Sequence, residues 1–292
     1  MKNNRGYADF LKQKNRAMDD RGLGIELSKL NRHAFEWQKD IIRWAIRKGT
    51  AAVFADCGLG KSLIQLDWAS QVNLYTSKPV LILAPLMVAQ QTVSEGEKFG
   101  IHVNLCEKQG DVTTGINVTN YEKLHLFDTS QFSGIVLDES SILKHFSSKT
   151  RSQLISQFEN TPFKLCCTAT PSPNDYMELG NHSEFLNIMT RSEMLSTFFI
   201  HDGSETQKWR LKGHAEDKFW EWLSSWAAVI KNPCDLGYEQ DGYDLPPLKI
   251  VEYSVNSNNM ESSGGQMLLL PEISLTLNER RSARRNSLKR IF

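Results

Sequence analysis

The chain lacks any apolar run long enough to cross a bilayer: its longest, Val80 to Ala89, falls well short and contains Pro85. Its first residues have no apolar core of the kind a secretory leader needs, so a soluble, cytoplasmic protein is expected, without a membrane partner. Net charge is missing too, with 34 Lys and Arg against 34 Asp and Glu. That excludes a general field for nucleic acid and leaves only local patches. The five cysteines (Cys57, Cys106, Cys166, Cys167, Cys234) are odd in number, and none sits in a C-x-x-C pair. A disulfide framework and a cysteine zinc site are thereby disfavoured against free thiols in a reducing compartment. The histidines show no metal-ligand spacing, and no internal repeat is present.

What is present is an alternation of strand and helix patterns. The 292 residues suffice for one large domain or two modest ones. After a polar stretch over 1–34, with one short helix around Tyr7 to Met18, Trp37, Ile41, Trp44 and Ala45 mark one face of a helix that Gly49 can end. Continuous apolar runs at Ala51 to Phe54, Pro79 to Pro85, Gly134 to Leu137 and Phe163 to Thr168 read as buried parallel strands. Helix patterns at Leu63 to Val72, Val88 to Phe99, Arg151 to Phe158 and Asp175 to Ile188 lie between and after them. The reading is α/β, a parallel sheet covered by helices on both faces, with ligands at the carboxyl ends of its strands. Beyond Ser192 the alternation stops. Phe219, Leu223, Trp226, Ala227 and Ile230 form a stripe that predicts one helix from Ala215 to Ile230. A strand at Leu248 to Val255, a polar linker at Asn256 to Gly265 and a basic helix at Leu277 to Ile291 complete the pattern.

The stretch Ala51 to Ser62 organises the rest. A short apolar strand breaks into the turn Asp56-Cys57-Gly58-Leu59-Gly60, and Lys61-Ser62 opens a helix. Glycines let successive N–H groups curl inward toward phosphate oxygens, and the helix N-terminus adds a favourable dipole. Lys61 is placed to reach the β- and γ-phosphates of ATP, and the Ser62 hydroxyl to hold Mg²⁺. The usual first glycine is replaced by Ala55, so taken alone the segment also fits a strand-to-helix turn that binds nothing. Cys57 is small enough for the loop, and its position beside Lys61 makes it a candidate reactive thiol.

Asp138-Glu139 ends another apolar strand. An acid there can hold Mg²⁺ through water, and its neighbour can orient the attacking water, because phosphoryl transfer depends on positioning and charge neutralisation. Alone, the pair also fits two solvated acids at a strand tip. Together with Lys61-Ser62 it points to ATP hydrolysis.

These segments, in this order, resemble the first RecA-like domain of superfamily 2 helicases and translocases, of the DEAD/DEAH-box and Swi/Snf-like kind. Asp56 to Ser62 is similar to the Swi/Snf phosphate loop D-x-G-x-G-K-[ST]. Gln38 stands where that family places an adenine-reading glutamine. Ala84-Pro85 and Val118-Thr119-Asn120-Tyr121 resemble the two segments that line the nucleic-acid strand, which implies Pro85, Thr119 and Asn120 as contacts, with DNA favoured over RNA. Leu137-Asp138-Glu139-Ser140-Ser141 stands at motif II. Thr168-Ala169-Thr170-Pro171 stands at motif III, where Thr168 and Thr170 would couple nucleotide to track. The resemblance implies a RecA-like P-loop NTPase domain over 35–195, followed by a mostly helical insertion and strand over 196–255, then a linker and basic connecting helix over 256–292. Phage and prophage helicases resemble the later segments more loosely.

Two departures stand out. Ser140-Ser141 replaces the Ala-Asp or Ala-His of the named boxes. No Q-x-x-G-R-x-x-R-like segment follows, so a second RecA-like domain and its arginine finger are expected to be absent and to come, if at all, from a separate chain. Arg280, Arg281, Arg284 and Arg285 read as a solvated connecting helix or as a phosphate contact. The function expected is an ATP-dependent helicase or translocase motor. Its rivals are an ATP- or DNA-binding remnant with little turnover, and a ring-forming P-loop ATPase outside the helicases.

Overall fold

The computed structural model describes residues 20–144, 149–201 and 209–239. The expected helix at Tyr7 to Met18, the strand from Leu248, the linker and the basic helix lie outside the described residues. The chain divides into one compact unit, 1–243, and a second, 244–292, none of which is among the described residues.

Helix α1 (Glu36–Lys48) buries Trp37, Ile41, Ile42, Ala45 and Ile46, and Gly49 ends it with φ 79°. Strand β1 (Thr50–Ala55) follows, then α2 (Lys61–Thr76), β2 (Val80–Ala84) and α3 (Ala89–Phe99). Two short strands, β3 (Val103–Leu105) and β4 (Ile116–Asn120), precede β5 (Gly134–Asp138). Helix α4 (Lys149–Gln157), β6 (Phe163–Cys167), α5 (Leu179–Phe185) and α6 (Arg191–Phe198) complete the alternation. A hairpin of β7 (Phe199–His201) and β8 (Trp209–Leu211), helix α7 (Glu216–Ser224) and β9 (Ala227–Ile230) follow.

Seven strands form one parallel sheet in the order β3-β4-β2-β5-β6-β1-β9. Side chains alternate across it, so each apolar strand feeds two cores. Ala51, Val53, Ile82, Val136 and Leu165 join α1, α2 and α3 on one face. Ala52, Phe54, Leu83, Ile135, Leu137 and Cys166 join α4 to α7 on the other. Both faces are covered, which explains why these strands read as unbroken apolar runs. Helix α2 is buried nearly all round, Asp67 included, whose carboxylate accepts the Asn31 N–H at 2.8 Å.

One expectation is corrected. The predicted helix from Ala215 to Ile230 stops at Ser224, and Ala227–Ile230 is the edge strand β9, parallel to β1. Phe219 and Leu223 do pack from α7 as a helical stripe, whereas Trp226 is buried at the turn between the two elements. Beyond Ser224-Ser225, the short run Ala227–Ile230 gains a ladder along β1 that a last helical turn would forgo. Among the described residues, no helix is long and apolar enough to cross a membrane.

Candidate nucleotide-binding site

The site collects at the carboxyl ends of β1, β5 and β6. At the end of β1 the Asp56 N–H donates to Ile230 O at 2.9 Å, so the edge strand β9 fixes the first peptide of the phosphate loop. The Asp56 carboxylate accepts the next N–H, that of Cys57, at 2.6 Å, and thereby shapes the turn. Cys57 and Gly58 are exposed, while Leu59 plugs into the core beneath them. Gly58 and Gly60 have φ of 82° and 69°, the left-handed region where a Cβ is strained. A Cβ on Gly60 would also lie 2.5 Å from the Gln38 amide nitrogen, whereas the space in front of Gly58 is open.

Gln38 is buried and engaged at both ends. Its oxygen accepts the Phe35 N–H at 2.9 Å and its nitrogen donates to Leu59 O at 3.1 Å. It therefore braces the loop against the start of α1. Lys61 follows the loop, its ammonium donating to Ala55 O at 3.0 Å and Asp56 O at 3.1 Å. An ammonium carries three donors, so one remains for an anion held above the loop. Ser62 lies in the same first turn of α2, half-buried.

One turn further along α2, the Gln65 amide donates to Asp138 Oδ1 at 2.7 Å. This bond ties the loop helix to the end of β5. Burial, opposed by that hydrogen bond, pushes the Asp138 carboxyl above its ordinary range, and the neighbouring Glu139 adds to the rise. Glu139 itself has φ 54°, unusual for a residue with a Cβ. Its carboxylate accepts the Thr168 hydroxyl at 3.1 Å, and the Thr168 oxygen accepts the Thr170 N–H at 3.1 Å. The structure thus sets Lys61 and Ser62 in the first turn of α2, ties that helix to Asp138 through Gln65, and links Glu139, Thr168 and Thr170 by hydrogen bonds.

The strand-end residues on the other side are placed differently. Pro85 is half-buried and leads into the exposed Leu86 and Met87. The side chains of Thr119 and Asn120 are buried, and the Asn120 oxygen caps the next turn by accepting the Lys123 N–H at 3.0 Å. The Tyr121 hydroxyl donates to Asp138 O at 2.7 Å, with its proton held by burial first and the nearby acids second. Two bonded residues had no role in the sequence reading: Gln65, and His182, whose Nε2 lies 3.2 Å from Ser140 Oγ. Neither carries a motif signal, and Tyr121, quoted only as the end of a motif-like segment, gains its bond to Asp138 from the fold.

The donor set suits magnesium bound together with a nucleotide. Among the described residues no group of three His, Cys, Asp or Glu could hold a metal alone. A hydroxyl and a carboxylate match a small hard cation that takes its remaining ligands from phosphate and water.

No family model matches the sequence. The p41 protein of Acyrthosiphon pisum secondary endosymbiont phage 1 is 30% identical over 162 residues, which cover 46% of this chain and 35% of that protein. The Sulfolobus solfataricus SWI2/SNF2 ATPase core in complex with dsDNA superposes with a TM-score of 0.58 at 21% identity, over 71% of this chain and 46% of that one. The Sulfolobus solfataricus SWI2/SNF2 ATPase core domain gives 0.56 at 20%, covering 72% and 46%. The chain therefore spans less than half the length of these relatives. It carries the RecA-like α/β fold of the SWI2/SNF2 ATPase cores.

Proposed function

We propose that this chain is the ATP-binding motor domain of a nucleic-acid helicase or translocase, hydrolysing ATP to ADP and phosphate. One observation carries the reading: a glycine-bearing loop with Lys61 at the end of β1 is bonded through Gln65 to an acid pair at the end of β5. Lys61 and the loop N–H groups bind phosphates, Gln38 holds the loop under the nucleotide, and Glu139 orients the attacking water. Ser62 and Asp138 would hold magnesium, which would supply charge neutralisation at the phosphates. Thr168 and Thr170 transmit the state of Glu139 away from the site. Asp56 contributes by shaping the loop.

DNA is the favoured partner, because the Sulfolobus core was solved with double-stranded DNA. A track past Pro85 and the turn after Asn120 would meet backbone and exposed side chains rather than the buried Thr119 and Asn120 side groups. A second RecA-like domain, supplied across the cleft, would complete the site. The test is phosphate release from ATP with Mg²⁺, with and without duplex DNA. Lys61→Ala and Glu139→Gln should each abolish the DNA-stimulated rate. ATP binding with no turnover under any condition would favour the binding-remnant reading.

A further inference from the structure

Glu139 sits at a strained turn, and the question is what holds it there. A non-glycine residue at φ 54° costs free energy and persists where its surroundings over-determine it. On one side the turn is pinned by the Tyr121 hydroxyl on Asp138 O. On the other it is pinned by Ser140, fully buried, whose Oγ lies 3.2 Å from Nε2 of the fully buried His182. The same imidazole stands edge-on to Phe54, with centroids 5.2 Å apart. Phe54 is the penultimate residue of β1, directly beneath the phosphate loop.

We propose that His182 is a positioning residue, joining the strand that launches the phosphate loop to the turn that presents Glu139. The claim rests on the nucleotide reading above. Helix α5, which carries His182, is itself fixed on every side. The Asn181 amide donates to Lys144 O at 3.0 Å, just after the turn. Glu184 pairs with the buried Arg151 of α4. Lys164 of β6, also buried, donates to Phe185 O at 2.9 Å. The support behind Ser140 is therefore rigid. Burial brings the His182 imidazole down to about 4, so it is neutral at physiological pH and acts by geometry, adding no charge beside the two acids. The serine at this position, a departure from the alanine of the named boxes, gains a purpose: its hydroxyl gives His182 something to hold.

Ser140→Ala, His182→Leu and His182→Gln are compared with the parent chain in single-turnover hydrolysis of Mg·ATP, in calorimetric ATP binding and in thermal unfolding. Small displacements of a catalytic group cost one to two orders of magnitude in rate. Ser140→Ala and His182→Leu should slow the hydrolytic step about tenfold or more while ATP affinity stays within about twofold. His182→Gln, whose amide can still reach Ser140, should recover to within about threefold of the parent. The double variant Ser140→Ala, His182→Leu should be no slower than the slower single variant. If His182→Leu does not fold, Ser140→Ala carries the same criteria. Parent-like rates, a fall in affinity matching the fall in rate, or a His182→Gln no better than His182→Leu would each overturn the positioning role. A parent chain that does not bind ATP overturns instead the nucleotide reading beneath it. A parent that binds ATP without hydrolysing it removes the role of Glu139 and this inference with it.

Discussion

The Gln65 amide lies 2.7 Å from Asp138 Oδ1 and joins the helix opened by Lys61-Ser62 to the strand that ends in the acid pair. These residues are 73 apart in sequence. Their bond makes one site of two motifs, and several outcomes follow from it and from the contacts around it.

Gln65→Leu should leave the Asp138 carboxylate without its hydrogen-bond donor in a buried setting. The expected loss of stability is about 1–3 kcal/mol, read from urea unfolding. The carboxyl pKa should rise further, since the bond that opposes burial is gone. Affinity for Mg·ATP should then fall more than affinity for metal-free ATP. Equal losses for the two would place the magnesium away from Asp138.

Ile230→Ala tests the strand that sequence periodicity assigned to a helix. Ile230 is buried in the core and its carbonyl holds the Asp56 N–H. Truncation should cost about 2–5 kcal/mol through the cavity it leaves. Because the loop's first peptide is anchored there, ATP affinity should weaken as well. Unchanged affinity at full occupancy of the folded state would mean the loop is set without β9.

The pH dependence of stability has a definite sign on the acid side. His182 titrates near 6.5 unfolded and at about 4 folded, so the unfolded chain binds the proton first. Stability from this group is full above pH 6.5, declines as pH falls through the window, and is lost below 4. The total is on the order of 3 kcal/mol. Asp138 and Asp67, both raised by burial, act in the opposite direction as they protonate. Chemical denaturation between pH 7 and 4.5 should show the decline, and His182→Gln should flatten it.

Much of the fold was legible because the central strands are apolar on both faces and bounded by glycine or proline. Gly134–Asp138 and Val80–Ala84 stand out on that ground alone. Strand β9 did not, because Phe219 and Leu223 genuinely lie on a helix and the apolar spacing runs on through Ile230 by coincidence of packing. The hairpin of β7 and β8 is too short to show a period. Within the site, Lys61, Asp138, Glu139 and Thr168 carried motif signals, and all four lie at or just beyond the carboxyl ends of β1, β5 and β6. The contacts of Tyr121 and His182 were not legible, because their partners lie 17 and 42 residues away. Gln38 is expected from the resemblance to read adenine, and its contacts also brace the loop, which the sequence does not show.

Nucleic-acid binding should be weak, independent of sequence and sensitive to salt. With zero net charge, the chain has no general field to hold phosphates. Neutralising about three phosphates of a single strand gives a log–log salt slope near −2, a fall in affinity of about 16-fold between about 50 and 200 mM salt. Fluorescence anisotropy with unrelated oligonucleotides reads the slope. Tight, sequence-dependent binding that ignores salt would point to a specific DNA-binding module.

The central claim, that the loop at the end of β1 holds the phosphates of ATP, is tested most directly by calorimetric titration of Mg·ATP into the parent chain and into Lys61→Ala. The variant removes a charge-assisted contact of about 2–3 kcal/mol, so its affinity should drop roughly 30- to 150-fold with its unfolding curve little changed. Equal affinity for the two folded proteins, or no binding by the parent chain, would contradict it.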